Sequence, residues 1–299
     1  MEAPLPPGFT LRAAGPADVP AIVGLVSACE MANDGASEAD ASDVEQSLAV
    51  AGEHGTVVVT GRDGSLAAWA TEAGGRAEVD VRPGDRGRGL GGWLLTWAED
   101  RARETGERRV RQTVTDGDRA AHALFASRGY QRAHTSWILE LPLPEARPRV
   151  DVPPGISIRS FEPGDEPAAY RLVEDAFNEW PGREPSTLEW WEANVFGHPA
   201  FSPSLSRLAF DGAELVGVAL AADYPGLPDG WVSQLATRAS HRHRGIARAL
   251  LQASFAAFHD RGRRMVALST DSRTGALTLY ERLGMRIRRS YTSWTKDLR

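Results

Sequence analysis

Arg86-Gly87-Arg88-Gly89-Leu90-Gly91 and, far downstream, Arg242-His243-Arg244-Gly245-Ile246-Ala247 decide how this chain is read. Each follows a strand-like run (Ala77 to Val81; Trp231 to Thr237) and opens a long amphipathic stretch (Gly92 to Thr105; Ala247 to Arg261). Both keep the spacing Arg-x-x-Gly-x-Gly/Ala. The flanking sequence repeats in the same order. Pro7-Gly8-Phe9-Thr10-Leu11-Arg12 returns as Pro154-Gly155-Ile156-Ser157-Ile158-Arg159, and Ala123-Leu124-Phe125 through Gly129-Tyr130 returns as Thr278-Leu279-Tyr280 through Gly284-Met285. His134-Thr135-Ser136-Trp137 returns as Tyr291-Thr292-Ser293-Trp294. A period far above the ~20–50 residues of a solenoid unit means a duplicated domain. The 299 residues suit two domains and exceed one ordinary core. The expected division is residues 1–145 and 153–299, joined by a stiff Pro-rich linker over 141–154.

Within each half, short strands alternate with helices. Thr10 to Arg12 opens as a strand and Pro16 to Ala28 as a helix. Val57 to Thr60 and Leu66 to Ala70 bracket the hairpin turn Gly61-Arg62-Asp63-Gly64, which Phe210-Asp211-Gly212 repeats. After the Arg/Gly turn and its helix come a strand (Arg109 to Val114; Met265 to Ser269) and a helix (Arg119 to Ser127; Gly275 to Leu283). Antiparallel hairpins with one βαβ crossover per half make the class α+β, a mixed, mostly antiparallel sheet flanked by helices.

Composition narrows the function. With 42% apolar and 25% charged residues the chain is an ordinary globular protein. A net charge of -6 counts against nucleic-acid binding. Lys296 is the sole lysine, which excludes Schiff-base chemistry elsewhere. Cys29 cannot form an internal disulfide, and no Cys/His cluster has zinc spacing, so no metal is expected. His241 and His243 lack a third ligand. No apolar run reaches the ~20 residues of a membrane span, and Met1 to Pro4 lack the marks of a signal peptide; the expected location is the cytoplasm. Oligomeric state is not legible.

A strand, a glycine turn and a helix start suit a phosphate or pyrophosphate, because the first amides of a helix are free and carry partial positive charge. Glycine lets the backbone approach the anion. Gly87-Arg88-Gly89-Leu90-Gly91-Gly92 also matches the dinucleotide pattern Gly-x-Gly-x-x-Gly. Arg82-Pro83-Gly84-Asp85 separates it from its strand, however, and the second copy drops those glycines, so a nicotinamide cofactor is rejected.

The turns Val81-Arg82-Pro83…Arg86 to Gly91 and Thr237…Arg242 to Ala247, with Ala276-Leu277-Thr278-Leu279-Tyr280-Glu281-Arg282-Leu283-Gly284-Met285, resemble the GNAT superfamily of acyl-CoA-dependent N-acyltransferases. The resemblance covers both halves. It implies direct transfer of an acetyl group from acetyl-CoA to the primary amine of a small molecule. It also implies that Arg86, Gly87, Arg88, Gly89, Leu90 and Gly91, and Arg242, His243, Arg244, Gly245, Ile246 and Ala247, hold the CoA pyrophosphate. Val79-Asp80-Val81 and Leu235-Ala236-Thr237 would pair with the pantetheine arm.

An amine attacks only when neutral, and near pH 7 roughly one alkyl amine in a thousand is. Aligned on their arginines, the halves set Glu78 opposite Gln234, where relatives carry the base. The late helices set Phe125 opposite Tyr280, where relatives carry an acid for the departing thiolate. Each half thus keeps one group and lacks the other. Phenylalanine donates no proton, whereas water relayed from Asp223, Glu179 or Glu184 can replace a base. Asp118 would repel the cofactor and Arg273 would attract it. On these grounds the second half is expected to be catalytic, through Tyr280 and Gln234, with the first as a degenerate scaffold carrying Glu78. Around the second acceptor site lie Trp180, Trp190, Trp191, Phe196, Phe201, Tyr224 and Trp231, which suit an apolar, cyclic or cationic acceptor. The competing class is a non-catalytic acyl-CoA-binding sensor.

Overall fold

The computed structural model describes residues 4–180, 183–224 and 229–298; Met1–Ala3, where the leader was sought, lie outside them. The chain forms two units, Met1–Thr135 with Arg289–Arg299, and Ser136–Arg288.

In the first unit, β1 (Phe9–Arg12), β2 (Thr56–Gly61), β3 (Leu66–Ala73) and β4 (Arg76–Val81) pair antiparallel in turn. The expected Gly61–Gly64 turn joins β2 to β3, closed by Gly64 N–H donating to Gly61 O at 3.0 Å. Between β1 and β2 run α1 (Val19–Asp34) and α2 (Ala41–Ala51). Helix α1 extends past the expected end at Ala28 and stops where Gly35 turns left-handed. Helix α2, unforeseen, starts where the Asp40 carboxylate accepts from Ser42 N–H at 2.7 Å. Helix α3 (Leu90–Glu104) buries Leu90, Leu94, Leu95, Ala98 and Ala102, spaced to form one apolar face. Strand β5 (Arg109–Thr115) and α4 (Arg119–Ser127) complete the crossover.

The second unit repeats the plan with β7 (Ile156–Ser160), α5 (Glu166–Phe177), α6 (Leu188–Trp191), β8 (Arg207–Asp211), β9 (Glu214–Ala222), β10 (Asp229–Thr237), α7 (Ile246–Asp260), β11 (Met265–Asp271) and α8 (Leu277–Arg282). The long helices begin at Leu90 and Ile246, slightly ahead of the expected Gly92 and Ala247. Equivalent hydrogen bonds, Arg82 N–H to Ala67 O and Arg238 N–H to Val216 O, anchor the two turns.

The domain boundaries differ from expectation at the last strand of each repeat. Strand β6 (Gln131–Pro142) sends residues 136–142 into the second unit, pairing antiparallel with β11 from Ser136↔Asp271 to Pro142↔Met265. Strand β12 (Arg286–Asp297) sends residues 289–297 into the first unit, pairing with β5 from Tyr291↔Thr115 to Asp297↔Arg109. Leu141 and Leu143, expected in the linker, pack in the second unit's core, and only the segment after them is irregular. Trp294 fills the first unit's core beside Phe125 and Tyr130, and Trp137 packs against the second's. The repeated Thr-Ser-Trp motif fits either sheet, which is why sequence left the exchange unseen.

Candidate functional site

Both turns adopt one backbone path. Gly87 and Gly89 have φ of 77° and 90°, and His243 and Gly245 have 63° and 84°. His243 is the only non-glycine with positive φ among the described residues. The first amides bonded back are Trp93 N–H to Gly89 O and Ala249 N–H to Gly245 O. Among the described residues, no hydrogen bond engages the amides of residues 87–92 or 243–248. Such a run of free N–H groups at a helix start is an anion cradle.

The arginine side chains bind their own unit. Arg86 donates to Val81 O (3.3 Å) and Asn33 Oδ1 (3.0 Å), and Arg242 to Thr237 O (3.2 Å) and Glu179 (2.6 and 2.9 Å). Arg88 pairs with Asp85 at 2.6 Å and Arg244 with Asp211 at 3.2 Å. These guanidiniums brace the turns, leaving the main chain to face an anion. His241 lies 3.4 Å from Asp211.

In the first unit β4 pairs with β5 only at Arg76↔Arg111, and beyond that pair the strands part. A cavity of about 940 Å³ opens there and reaches Gly87, Gly89 and Gly91. Strand alternation gives it two walls. Glu78 and Asp80 project toward the α1 and α2 side: Ser47 Oγ donates to Glu78 at 3.1 Å and Trp69 Nε1 to Asp80 at 3.0 Å. Gln112 lines the other side with Leu95, Leu124 and Phe125. Burial pushes the Asp80 carboxyl up to about 6, against the Trp69 hydrogen bond that lowers it; neighbouring Glu78, Glu30 and Asp118 add to the rise. Cys29 lines the cavity, donates to Val81 O at 3.3 Å, and is pushed by burial up to about 12. It is an inert, packed thiol, as expected. The lining also includes Glu30, Asp34, Glu38, Asp40 and Asp43, with Arg289 and Tyr291 from β12.

The second unit keeps the register. Gln234 pairs with Leu220 as Glu78 pairs with Thr71, which supports their alignment. It differs in a bulge at Ser233 and in four parallel pairs between β10 and β11, ending at Val232↔Leu268. Opposite Asp80 stands Ala236, buried against Trp191 with Phe196 and Phe201 in an aromatic core. Tyr280 is buried beside Leu268, and burial pushes its hydroxyl up to about 12 despite a hydrogen bond with Thr270.

The charges that favoured the second half from sequence are already partnered. Asp118 caps α4 through Ala121 N–H (2.9 Å) and lies 3.5 Å from Arg86, so its repulsion of a cofactor is largely cancelled. Arg273 is held by Asp271 at 2.6 Å. Of the remote bases, Glu179 is held by Arg242 and lowered, Asp223 pairs with Arg263, and Glu184 is exposed. Trp191 is buried with its Nε1 donating to Glu174 at 2.9 Å, while Trp190 is half exposed.

Sequence reasoning placed Asp80 on the cofactor strand but missed that its side chain belongs beside Glu78; the i, i+2 spacing carries that signal. Gln112 had only its place in β5, among mostly polar neighbours. Arg289 and Tyr291 had none, because they join the first unit through the exchanged strand.

The model of the Acetyltransferase (GNAT) family matches residues 26–130 and 167–285. The chain is similar to the mycothiol acetyltransferase of Thermobispora bispora, 36% identical over 228 residues and covering 74% of each chain. It is 32% identical to that of Geodermatophilus obscurus over 94% of this chain and 95% of the relative. Among solved structures, a GCN5-related N-acetyltransferase from Sphaerobacter thermophilus superposes with a TM-score of 0.85 at 34% identity, covering 99% of this chain and 98% of the other. A tandem GNAT protein from the clavulanic acid biosynthesis pathway shares the fold at a TM-score of 0.72 and 20% identity, over 97% of this chain and 99% of the other. Two copies of one α+β domain, each with an amide cradle heading its long helix, and a family match in both copies make this chain a tandem member of the GNAT acetyltransferase family.

Proposed function

We propose that the protein moves an acetyl group from acetyl-CoA directly to the primary amine of a small molecule, and that it does so in the first unit's cavity. The observation that carries this reading is one continuous space joining the amide cradle of residues 87–92 to the carboxylates Glu78 and Asp80.

The residues present fit acetyl-CoA. The free amides suit its pyrophosphate, and β4, parted from β5 after Arg76, offers the Val79–Val81 edge to the pantetheine arm. When bound, acetyl-CoA supplies the acetyl group as a thioester. Asp80 takes the proton from the incoming ammonium, directly or through one water, because a carboxyl near pH 6 is ionised at neutrality yet basic enough to accept it. Glu78, held by Ser47, adds negative charge on the same wall. Carboxylates outnumber arginines along the cavity lining, even with Arg289 paired to Glu30, Asp34 and Glu38, and the excess favours a cationic amine. The second unit, where sequence alone put the chemistry, has no carboxylate at either matching position and keeps Tyr280 in its core.

A second reading, mycothiol synthase, has the relatives' names and the tandem arrangement behind it. Both readings fit a cytoplasmic enzyme, and no helix among the described residues is long and apolar enough to cross a membrane. Thiol release from acetyl-CoA across a panel of amines, the mycothiol precursor amine included, tests them together. Turnover with a small amine that Asp80→Asn removes is the expected result. Silence across the panel with CoA binding retained would leave the sensor.

A further inference from the structure

We propose that Lys296, the sole lysine of the chain, is a positioning residue that sets the register of β12 and so brings Arg289 and Tyr291 into the lining of the first unit's cavity. Its consequence for acetyl transfer rests on the proposed function; the register itself does not.

The two exchanged strands carry one motif in two registers. In the first unit Trp294 stands opposite Gln112, the fourth residue of β5. In the second, Trp137 stands opposite Thr270, the sixth residue of β11, and Leu139 stands opposite the fourth, Leu268. Strands β5 and β11 are equivalent from their starts, where Leu298 N–H donates to Arg108 O and Leu143 N–H to Arg264 O. The shared Thr-Ser-Trp therefore sits two residues apart in the two sheets. A slip of two keeps every side chain on its own face, so alternation does not choose between the registers.

One residue does. Counted from the tryptophan, alternate residues are Trp137, Leu139 and Leu141 in β6, and Trp294, Lys296 and Leu298 at the end of the chain. The register of β6 would put Lys296 opposite Gln112, where Trp294 now packs with Phe125 and Tyr130. Burying an ammonium in place of an indole is costly. In the observed register Lys296 stands opposite Val110, with both Glu99 oxygens 2.8 Å from its Nζ. The indole fills the core, and its Nε1 donates to His122 Nδ1 at 3.0 Å. Glu99 is the tenth residue of α3; the tenth of α7 is Phe255, in the apolar core that Leu141 joins opposite Val266. Each sheet thus matches the strand it receives.

The opposite face of β12 carries the consequence. Arg289 donates to Glu30 at 3.2 Å and to Ala36 O at 3.3 Å, which ties α1 and the turn after it to the strand. In the register of β6, Tyr291 would take the place of Arg289, and Arg289 would lie ~7 Å away. Lys296 does not line the cavity and acts through the strand.

The test combines Lys296→Leu with Glu99→Leu, which leaves neither member of the ion pair buried alone and gives β12 the Trp-x-Leu pattern of β6. Register is read in the full chain by oxidising introduced cysteine pairs, Cys29 being buried. Arg111→Cys with Thr295→Cys reports the present pairing, and Arg111→Cys with Asp297→Cys the slipped one. The first pair should cross-link in the parent and the second in the double-leucine background. Without added cysteines, the double-leucine variant should raise the KM for the amine by roughly tenfold. Its kcat and CoA affinity should change little, since Asp80 and the amides of residues 87–92 lie outside β12. Exchanging the charges, Glu99→Lys with Lys296→Glu, should keep the present pairing and the parental KM. Should that exchange fail to fold, Lys296→Arg is the rescue expected to keep both. Parental cross-linking in the double-leucine variant overturns the role of Lys296 in register. A slipped strand with an unchanged amine KM overturns its role at the site. A slipped strand in a chain whose first unit transfers no acetyl group overturns the proposed function and leaves the register role standing.

Discussion

Replacing Asp80 with asparagine should move activity and stability in opposite directions. Burial pushes this carboxyl from the ordinary 3.8 up to about 6. At about 1.4 kcal/mol per pH unit, keeping it ionised in the folded chain costs on the order of 3 kcal/mol. The sign follows from the raised value. Below about pH 4 the group is protonated whether folded or not, and the penalty is absent; it grows as pH rises and is fully present above about pH 6. Asparagine keeps the shape and can still accept the Trp69 Nε1 hydrogen bond, so it removes the charge and little else. Thermal melts should show Asp80→Asn more stable than the parent at pH 8 and equal to it near pH 4. Turnover at pH 7 should fall by roughly 10²–10⁴-fold, the usual worth of a general base. The parent's rate should rise with pH through about 6, and the variant's should not. Full activity in the variant, or an unchanged acid limb, would refute Asp80 as the proton acceptor.

Gly89 sits at φ of 90° with Pro6 beside it, so Gly89→Val should abolish CoA binding by the first unit and with it turnover, as calorimetry and thiol release would read. Gly245→Val should leave turnover largely intact; loss of turnover here but not there would return the chemistry to the second unit. Arg289 is almost fully buried, 3.2 Å from Glu30 and near Asp34 and Glu38, so Arg289→Ala should destabilise the first unit by about 3–5 kcal/mol in denaturant unfolding. Cys29, buried and pushed up to about 12, should resist thiol reagents at pH 8 until the chain is denatured.

Much of this molecule is legible as one-dimensional pattern. The duplication, the hairpins and the two phosphate-suited turns depend on residues near one another in the chain, where glycine and strand alternation act directly. Pairing Glu78 with Gln234 by spacing alone agreed with strand register because the segment from strand to turn is equally long in both copies. Charges read in isolation misled. Asp118, Arg273 and Glu179 looked free, yet each finds its partner through folding: Arg86, Asp271 and Arg242.

A repeat with glycine at left-handed positions ahead of two apolar helix faces already dictates twin α+β domains and their amide cradles, because those features are local. Which sheet receives each final strand was settled by long-range packing, since Thr135-Ser136-Trp137 and Thr292-Ser293-Trp294 carry nearly the same pairing information. The opening of the first cavity has the same kind of origin. Strands β4 and β5 part after one pair, leaving Glu78 and Asp80 to line the space between them, and Arg289 joins that lining from the far end of the chain. Distances across a parted sheet come from the balance of packing on both faces, and no run of neighbouring residues encodes that balance.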